Sequence, residues 1–147
     1  MKDWQLAYIA GVIDSDGCIS LILNSKTGWV RPRVAINQVQ PEAIDFIISL
    51  FGGNLYIAEQ PEESVWKDRY EWRLYSLRKV KPFLIAILPF LQIKSRQAQL
   101  VIEFCSLRLN KLGKRYQGGK HNKTYTEREM IVFDNVKSLN QRGVYAG

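Results

Sequence analysis

An apolar helical stretch that runs straight into two carboxylates and then stops is the feature that most constrains this chain. It reads Ile9-Ala10-Gly11-Val12-Ile13-Asp14-Ser15-Asp16-Gly17. A helix tail carries partial negative charge from its unpaired carbonyls, so acids there are unfavourable unless a cation sits beside them. Two acids at that place ask for a metal ion. Along the same helix Ala7, Ala10, Gly11 and Asp14 fall at i, i+3, i+4 and i+7. That spacing predicts a stripe of small residues against which a second helix can pack closely. An EF-hand also begins Asp-x-Asp, but it would need an acid or amide at Cys18, glycine at Ile19 and glutamate at Ser25.

With 147 residues, 46% hydrophobic and 24% charged, the chain is expected to fold as one domain, 1–147, with a core of its own. Cys18, Cys105 and the single His121 are too few for a disulfide framework or a four-ligand zinc site, and both thiols are expected to be buried and reduced. The apolar run from Trp4 to Ile13 is too short to cross a bilayer and lacks a cleavage site, so a soluble, intracellular, unsecreted protein with no membrane partner is expected. Charge is lopsided. Residues 1–105 hold 12 bases and 11 acids, a balance of +1, whereas 106–147 hold 9 bases and 3 acids, a balance of +6. Between Arg108 and Lys123 lie six Lys or Arg, no acid and three glycines, a basic and mobile segment suited to a polyanion. Gly113 to Lys120 lacks the Gly-Lys-Ser/Thr ending of a phosphate loop.

The order of elements predicts an α+β fold: helix, two strands, helix, two strands, helix, helix, basic loop, helix. Ile19, Leu21 and Leu23 alternate with Cys18, Ser20, Ile22 and Asn24, and past the Thr27-Gly28 turn Val30, Val34 and Ile36 alternate with Arg31, Arg33, Ala35 and Asn37. Pro41 and Gly52-Gly53 bracket an amphipathic helix over Glu42 to Phe51. A return strand, Arg69 to Leu77, sends Tyr70, Trp72 and Leu74 to one side and Arg69, Glu71, Arg73 and Tyr75 to the other. Pro82 and Pro89 frame a short helix, and a longer one follows in which Ala98, Val101, Ile102, Cys105 and Leu109 share a face. Thr126 to Glu129 is a capping box that opens the last helix, which runs to about Leu139.

The nine residues from Ile9 to Gly17 resemble the signature of the LAGLIDADG homing endonucleases. Ile9 stands at the leading Leu, Ser15 at a small residue, and Ala10, Gly11, Ile13, Asp14, Asp16 and Gly17 match. The resemblance extends over about the first 109 residues, because the elements follow in the family's order. It implies an αββαββα core with a curved antiparallel saddle sheet that lies in the DNA major groove; residues 109–147, beyond the resemblance, read as an added basic loop and C-terminal helix. It also implies a site-specific, metal-dependent double-strand DNA endonuclease, intron-encoded and leaving short 3′ overhangs. The stretch Leu88 to Lys94 followed by Gln97-Ala98 looks like the one that carries the family's active-site lysine, which falls on Lys94. The polar residue at the end of the second strand falls on Gln38, with Gln40 as the alternative. Catalysis is then expected from Asp16, Lys94 and Gln38. The metal, Mg²⁺ or another divalent ion such as Mn²⁺, is expected on Asp16 and the backbone carbonyl of Ser15.

One motif per chain offers too few carboxylates, so the resemblance implies a homodimer joined along Ala7, Ala10, Gly11 and Asp14, acting on a long pseudo-palindromic site. On the outward strand faces Arg31, Arg33 and Arg73 can donate in pairs to guanine, and Asn24 and Gln60 can read adenine. Ser20, Lys26, Glu71, Tyr75 and, in the basic segment, Lys120 complete the expected DNA contacts. A non-catalytic binder on the same fold, either a maturase that binds intron RNA or a transcription regulator, is the principal alternative. The presence of both Asp16 and Lys94 argues against it. A ribosome-associated basic protein would leave the acidic helix tail unexplained.

Overall fold

The computed structural model describes residues 1–38, 40–65, 67–115 (backbone alone from 112) and 124–141. Helix α1 (Asp3–Asp16) passes directly into strand β1 (Gly17–Leu23), which pairs with β2 (Val30–Gln38). Then come α2 (Glu42–Phe51), strands β3 (Asn54–Ala58) and β4 (Arg69–Tyr75), α3 (Leu77–Ile87), a 3₁₀ turn (Leu88–Phe90), α4 (Ser95–Arg115) and α5 (Glu127–Asn140). The strands form one antiparallel sheet in the order β1-β2-β4-β3. The expected α+β order is present.

Local chemistry explains most boundaries. At the β1–β2 turn the Asn24 side-chain oxygen accepts from the backbone N–H of Lys26 and Thr27, and Gly28 takes φ +77°. In α5 Thr126 accepts from the N–H of Glu129 while the Glu129 carboxylate accepts from the N–H of Thr126, the expected capping box. Helix α3 corrects the expectation that Pro82 would open it, since it begins five residues earlier at Leu77. Ser76 caps its start, accepting from Lys79 N–H, and Pro82 lies inside the helix on the exposed side. The proline removes one intrahelical bond. Val80, Phe83, Leu84 and Ile87 on the buried side hold the helix in place.

Strand side chains alternate between two faces. The helices cover the face that carries Ile19, Val34, Ile36, Trp72 and Leu74, with Ile19 beside Val34 beside Leu74 and Ile36 beside Trp72. Burying each such side chain contributes roughly 1.5–3 kcal/mol. The Trp72 indole N–H is satisfied by the Gly52 carbonyl at 2.8 Å. On the opposite face the cross-strand rows read Ser20–Arg33–Tyr75, Cys18–Ala35–Arg73 and Asn37–Glu71–Tyr56.

Helices α4 and α5 are joined by a charge cluster that corrects part of the basic-segment expectation. Arg108 is buried at 4% exposure, donates to Glu129 at 3.3 Å and to the Thr124 carbonyl at 3.1 Å, and lies 4.4 Å from the centre of the Tyr125 ring. Lys111 donates to the same carboxylate at 3.0 Å. Two of the six bases between Arg108 and Lys123 therefore answer an internal acid, because Glu129 is fully buried and needs them. Lys120 and most of the rest of that segment lie outside the described residues. Cys105 is fully buried, and burial pushes its thiol up to about 12. Cys18, expected to be buried, is half-buried on the polar face of the sheet. Among the described residues no helix is long and apolar enough to cross a membrane.

Candidate active site and nucleic-acid interface

The end of α1 meets the start of α4, and the two acids there have different fates. The Asp14 carboxylate accepts from three consecutive backbone N–H groups, Gln92 at 2.7 Å, Ile93 at 3.2 Å and Lys94 at 3.0 Å. These donors precede α4, where unpaired N–H groups and the helix dipole favour an anion. In return Lys94 Nζ donates to the Asp14 main-chain carbonyl at 2.6 Å, placing a cation at the negative tail of α1. Asp14 thus needs no metal to balance it, which leaves Asp16 as the acid free for one.

Asp16 is exposed, and one of its oxygens accepts from Gln38 Nε2 at 2.9 Å. Gln38 ends β2, and Gln38 rather than Gln40 makes this bond. Asp16, Asn37, Gln38, Gln40 and Arg69 line an open cleft of about 390 Å³. Gly17 holds the geometry. A Cβ there would fall 2.8 Å from both the Cα and the carbonyl oxygen of Ile13, so only glycine lets the chain turn from helix to strand this tightly. The Ser15 hydroxyl points back along α1, donating to the Gly11 carbonyl at 2.9 Å. Among the described residues no group of three or more His, Cys, Asp or Glu could hold an ion. Carboxylate and amide oxygens are nonetheless hard donors of the kind Mg²⁺ takes, and that ion is commonly held by one or two carboxylates with phosphate and water.

The outward side of α1 carries Trp4, Ala7, Tyr8, Gly11 and Ser15, all exposed, with Trp4 and Tyr8 against the Phe46 ring. A Cβ on Gly11 would meet nothing within 4 Å. Ala10, expected on the same stripe, is instead fully buried in the chain's own core, because it shares the inward side with Ile9 and Ile13. Asp14 likewise faces α4 of its own chain.

On the polar sheet face, the Arg31 guanidinium lies 4.2 Å from the centre of the Tyr75 ring. Arg73 lies 4.7 Å from the centre of the Tyr56 ring, donates from Nε to Glu71 and donates from Nη1 to the Tyr75 hydroxyl at 3.2 Å. The hydrogen bond to Glu71, then that to Tyr75, raises the Arg73 pKa above its ordinary value, so its charge is permanent. Arg33 differs: its Nε is buried without a hydrogen-bond partner.

The fold matches solved structures. I-CvuI, a homing endonuclease crystallised in complex with the I-CreI target in 2 mM Mg with the DNA not cleaved, superposes at a TM-score of 0.57 with 22% identity, over 93% of this chain and 95% of that one. I-CeuI, a group I intron-encoded homing endonuclease complexed with DNA, gives a TM-score of 0.61 at 14% identity, over 92% of this chain and 67% of that one. The LAGLIDADG meganuclease I-CpaMI bound to uncleaved DNA gives 0.55 at 15% identity, over 91% of this chain and 51% of that one. The chain has the LAGLIDADG homing-endonuclease fold. No family model and no curated protein matches it by sequence.

Within the LAGLIDADG fold, Asp16 and Gln38 are in contact and Lys94 is fixed to the backbone two residues before Asp16. Arg31, Arg33, Glu71, Arg73 and Tyr75 share one sheet face. Other residues expected to contact DNA also have partners within the chain. Ser20 is buried at 7% exposure beside Arg33, the Asn24 oxygen closes its own turn, and the Glu71 carboxylate binds Arg73. Lys26 is exposed in the turn, and Gln60 is half-buried in the loop after β3, its backbone N–H donating to Asp68 at 2.7 Å. The sequence reading missed Arg69 beside Asp16 and Tyr56 beneath Arg73. Alternation marks Arg69 as outward-facing, but only the pairing of β4 with β2 brings it to the end of Gln38.

Proposed function

We propose that the chain is a site-specific, Mg²⁺-dependent double-strand DNA endonuclease that acts as a homodimer. The observation that carries this reading is the junction of α1 with α4 and β2: an exposed Asp16 oriented by Gln38, with the Lys94 ammonium tied to the Asp14 carbonyl beside it. Such a junction sets an anionic oxygen ligand, an amide and a cation together, the groups that hydrolysis of a phosphodiester requires. The neighbours bound to DNA and the arginine-lined sheet face support DNA as substrate.

When bound, Mg²⁺ supplies charge neutralisation at the attacked phosphate and lowers the pKa of a coordinated water. Asp16 and the Ser15 carbonyl would hold the ion, and Gln38 keeps the Asp16 carboxylate turned toward the cleft. Arg69, on the rim of the same cleft, is a cation in reach of a phosphate bound there. Lys94 counters charge that develops on the phosphate. One carboxylate per chain suits an ion shared with the Asp16 of a second copy, and the outward side of α1 with Ala7 and Gly11 permits two copies to approach closely. Each copy would cut one strand of a pseudo-palindromic site. The family resemblance further implies short 3′ overhangs and an intron-encoded protein.

Incubating the protein with Mg²⁺ and a plasmid pool carrying randomised targets, then sequencing the linearised ends, tests this reading. Recovery of a shared pseudo-palindromic site with 3′ overhangs is expected. Specific retention of DNA or intron RNA without cutting would establish the non-catalytic alternative.

A further inference from the structure

On the polar face of the sheet, Glu71, Arg73 and Tyr75 follow one another at period two along β4 and form a single linked unit. Arg73 is restrained on three sides, by the Glu71 carboxylate at Nε, by the Tyr75 hydroxyl at Nη1 and by the Tyr56 ring against its plane. The restraint comes from two strands, since Tyr56 lies on β3 opposite Glu71. Across the sheet Arg73 is flanked by Asn54 on β3 and by Ala35 and then Cys18 toward β1, so on the β2 side only short side chains lie beside it. Two of the five guanidinium N–H bonds are used. Both on Nη2 and one on Nη1 remain, and one from each nitrogen together make the end of the fork, an edge that can donate in parallel to the O6 and N7 of guanine.

We propose that Glu71 is a positioning residue for sequence recognition: it sets Arg73 to read a guanine in the major groove and does not itself contact DNA. The inference rests on the endonuclease reading, which lays this face of the sheet against the substrate. A free arginine loses side-chain freedom when it engages a base, whereas one already held in its reading geometry loses little. Glu71 also separates reading from attraction. It cancels the net charge of Arg73 at long range while leaving its directed donors open, so the pair contributes to choice among bases more than to general hold on the backbone. Tyr75 is shared, because its ring also carries Arg31. Disturbing it therefore affects two arginines at once.

The test measures base preference by selecting bound sequences from a pool randomised over the half-site, without Mg²⁺ so that nothing is cut. Wild type, Glu71→Gln, Tyr75→Phe, Arg73→Ala and the Glu71→Gln/Arg73→Ala double variant are compared. Glu71→Gln should lower guanine preference about tenfold at one position per half-site, while binding to unrelated DNA stays the same or strengthens because the charge of Arg73 is no longer cancelled. Its thermal unfolding should match wild type. In the Arg73→Ala background the same substitution should have no further effect, and Tyr75→Phe should weaken preference at the Arg73 position in the same direction. Unaltered preference in Glu71→Gln overturns the inference. So does an effect that persists without Arg73, which would make Glu71 a direct reader of cytosine. A wild-type protein with no sequence preference at all would instead remove the DNA-recognition reading on which the inference stands.

Discussion

Lys94 and Asp14 hold each other through different atoms: the lysine ammonium donates to the Asp14 carbonyl at 2.6 Å, and the Asp14 carboxylate accepts the Lys94 backbone N–H at 3.0 Å. The acid thereby fixes the turn from which the catalytic candidate Lys94 projects. Asp14→Ala should slow cleavage about 10- to 100-fold while specific binding changes little. Because the effect passes through Lys94, it should be far smaller in a Lys94→Met background, which by itself should slow cutting with binding retained. Single-turnover rates for the four members of the cycle check this, and a full additive loss would assign Asp14 to the fold alone.

Asp16 stands in the opposite situation, with Gln38 as its one side-chain partner among the described residues and an open cleft in front of it. Asp16→Asn should abolish cutting in Mg²⁺ while leaving specific binding within about tenfold, since size is kept and only the anionic ligand is lost. Residual cleavage at wild-type rate would end the proposed mechanism.

The order of elements is legible in the sequence because alternation in the strands and Gly, Pro and capping signals between them agree with each other. The α1 tail is legible as a place for chemistry, but the division of labour between its acids is not. That Asp14 meets the amides of Gln92 to Lys94 is a contact across some eighty residues, and no local pattern encodes it. Ala10 shows the limit of small-residue stripes: it and Gly11 are adjacent on the helix, yet one is fully buried and the other opens to solvent. The basic run misleads at Arg108 because its acid partner, Glu129, belongs to the following helix.

Gly11 faces open space, so a larger side chain there leaves the folded chain intact and acts only on what docks against α1. Gly11→Leu should keep the wild-type fold, as read by circular dichroism, and convert the proposed dimer to monomer. Ala10→Leu should instead overpack the core and cost about 1–3 kcal/mol. Sedimentation of both variants separates the cases, and an unchanged Gly11→Leu dimer would move the interface elsewhere.

Glu129 makes a distinct prediction about acid. Burial works to raise its pKa, but hydrogen bonds from Thr126 and Lys111 and the charge of Arg108 outweigh it, and the carboxyl titrates below its ordinary 4.5. A lowered folded-state pKa means that this contribution is present above 4.5 and is lost as pH falls through the folded value. Glu129→Gln should cost about 1–3 kcal/mol at pH 7, because it removes the carboxylate charge that answers Arg108 and Lys111. It should also flatten the loss of stability of the wild type below pH 4.5. Chemical denaturation across that range measures both effects.

Arg33 separates stability from recognition. It stands between Ser20 and Tyr75 on the sheet face proposed to meet DNA, and its buried Nε lacks a hydrogen-bond partner in the free protein. A desolvated donor without an acceptor is costly in the free protein, whereas the residue's place on the sheet face is what puts it in line for a base edge. Arg33→Met keeps the stem and removes the unsatisfied group, so the free protein should be as stable as wild type or slightly more so. Specific binding should nevertheless weaken by about 1–3 kcal/mol, with preference relaxed at one or two positions per half-site. Unfolding curves and binding to single-base target variants give the two readings independently. A uniform loss across all targets would make Arg33 a phosphate contact, and lower stability with unchanged preference would return it to the sheet as a structural residue.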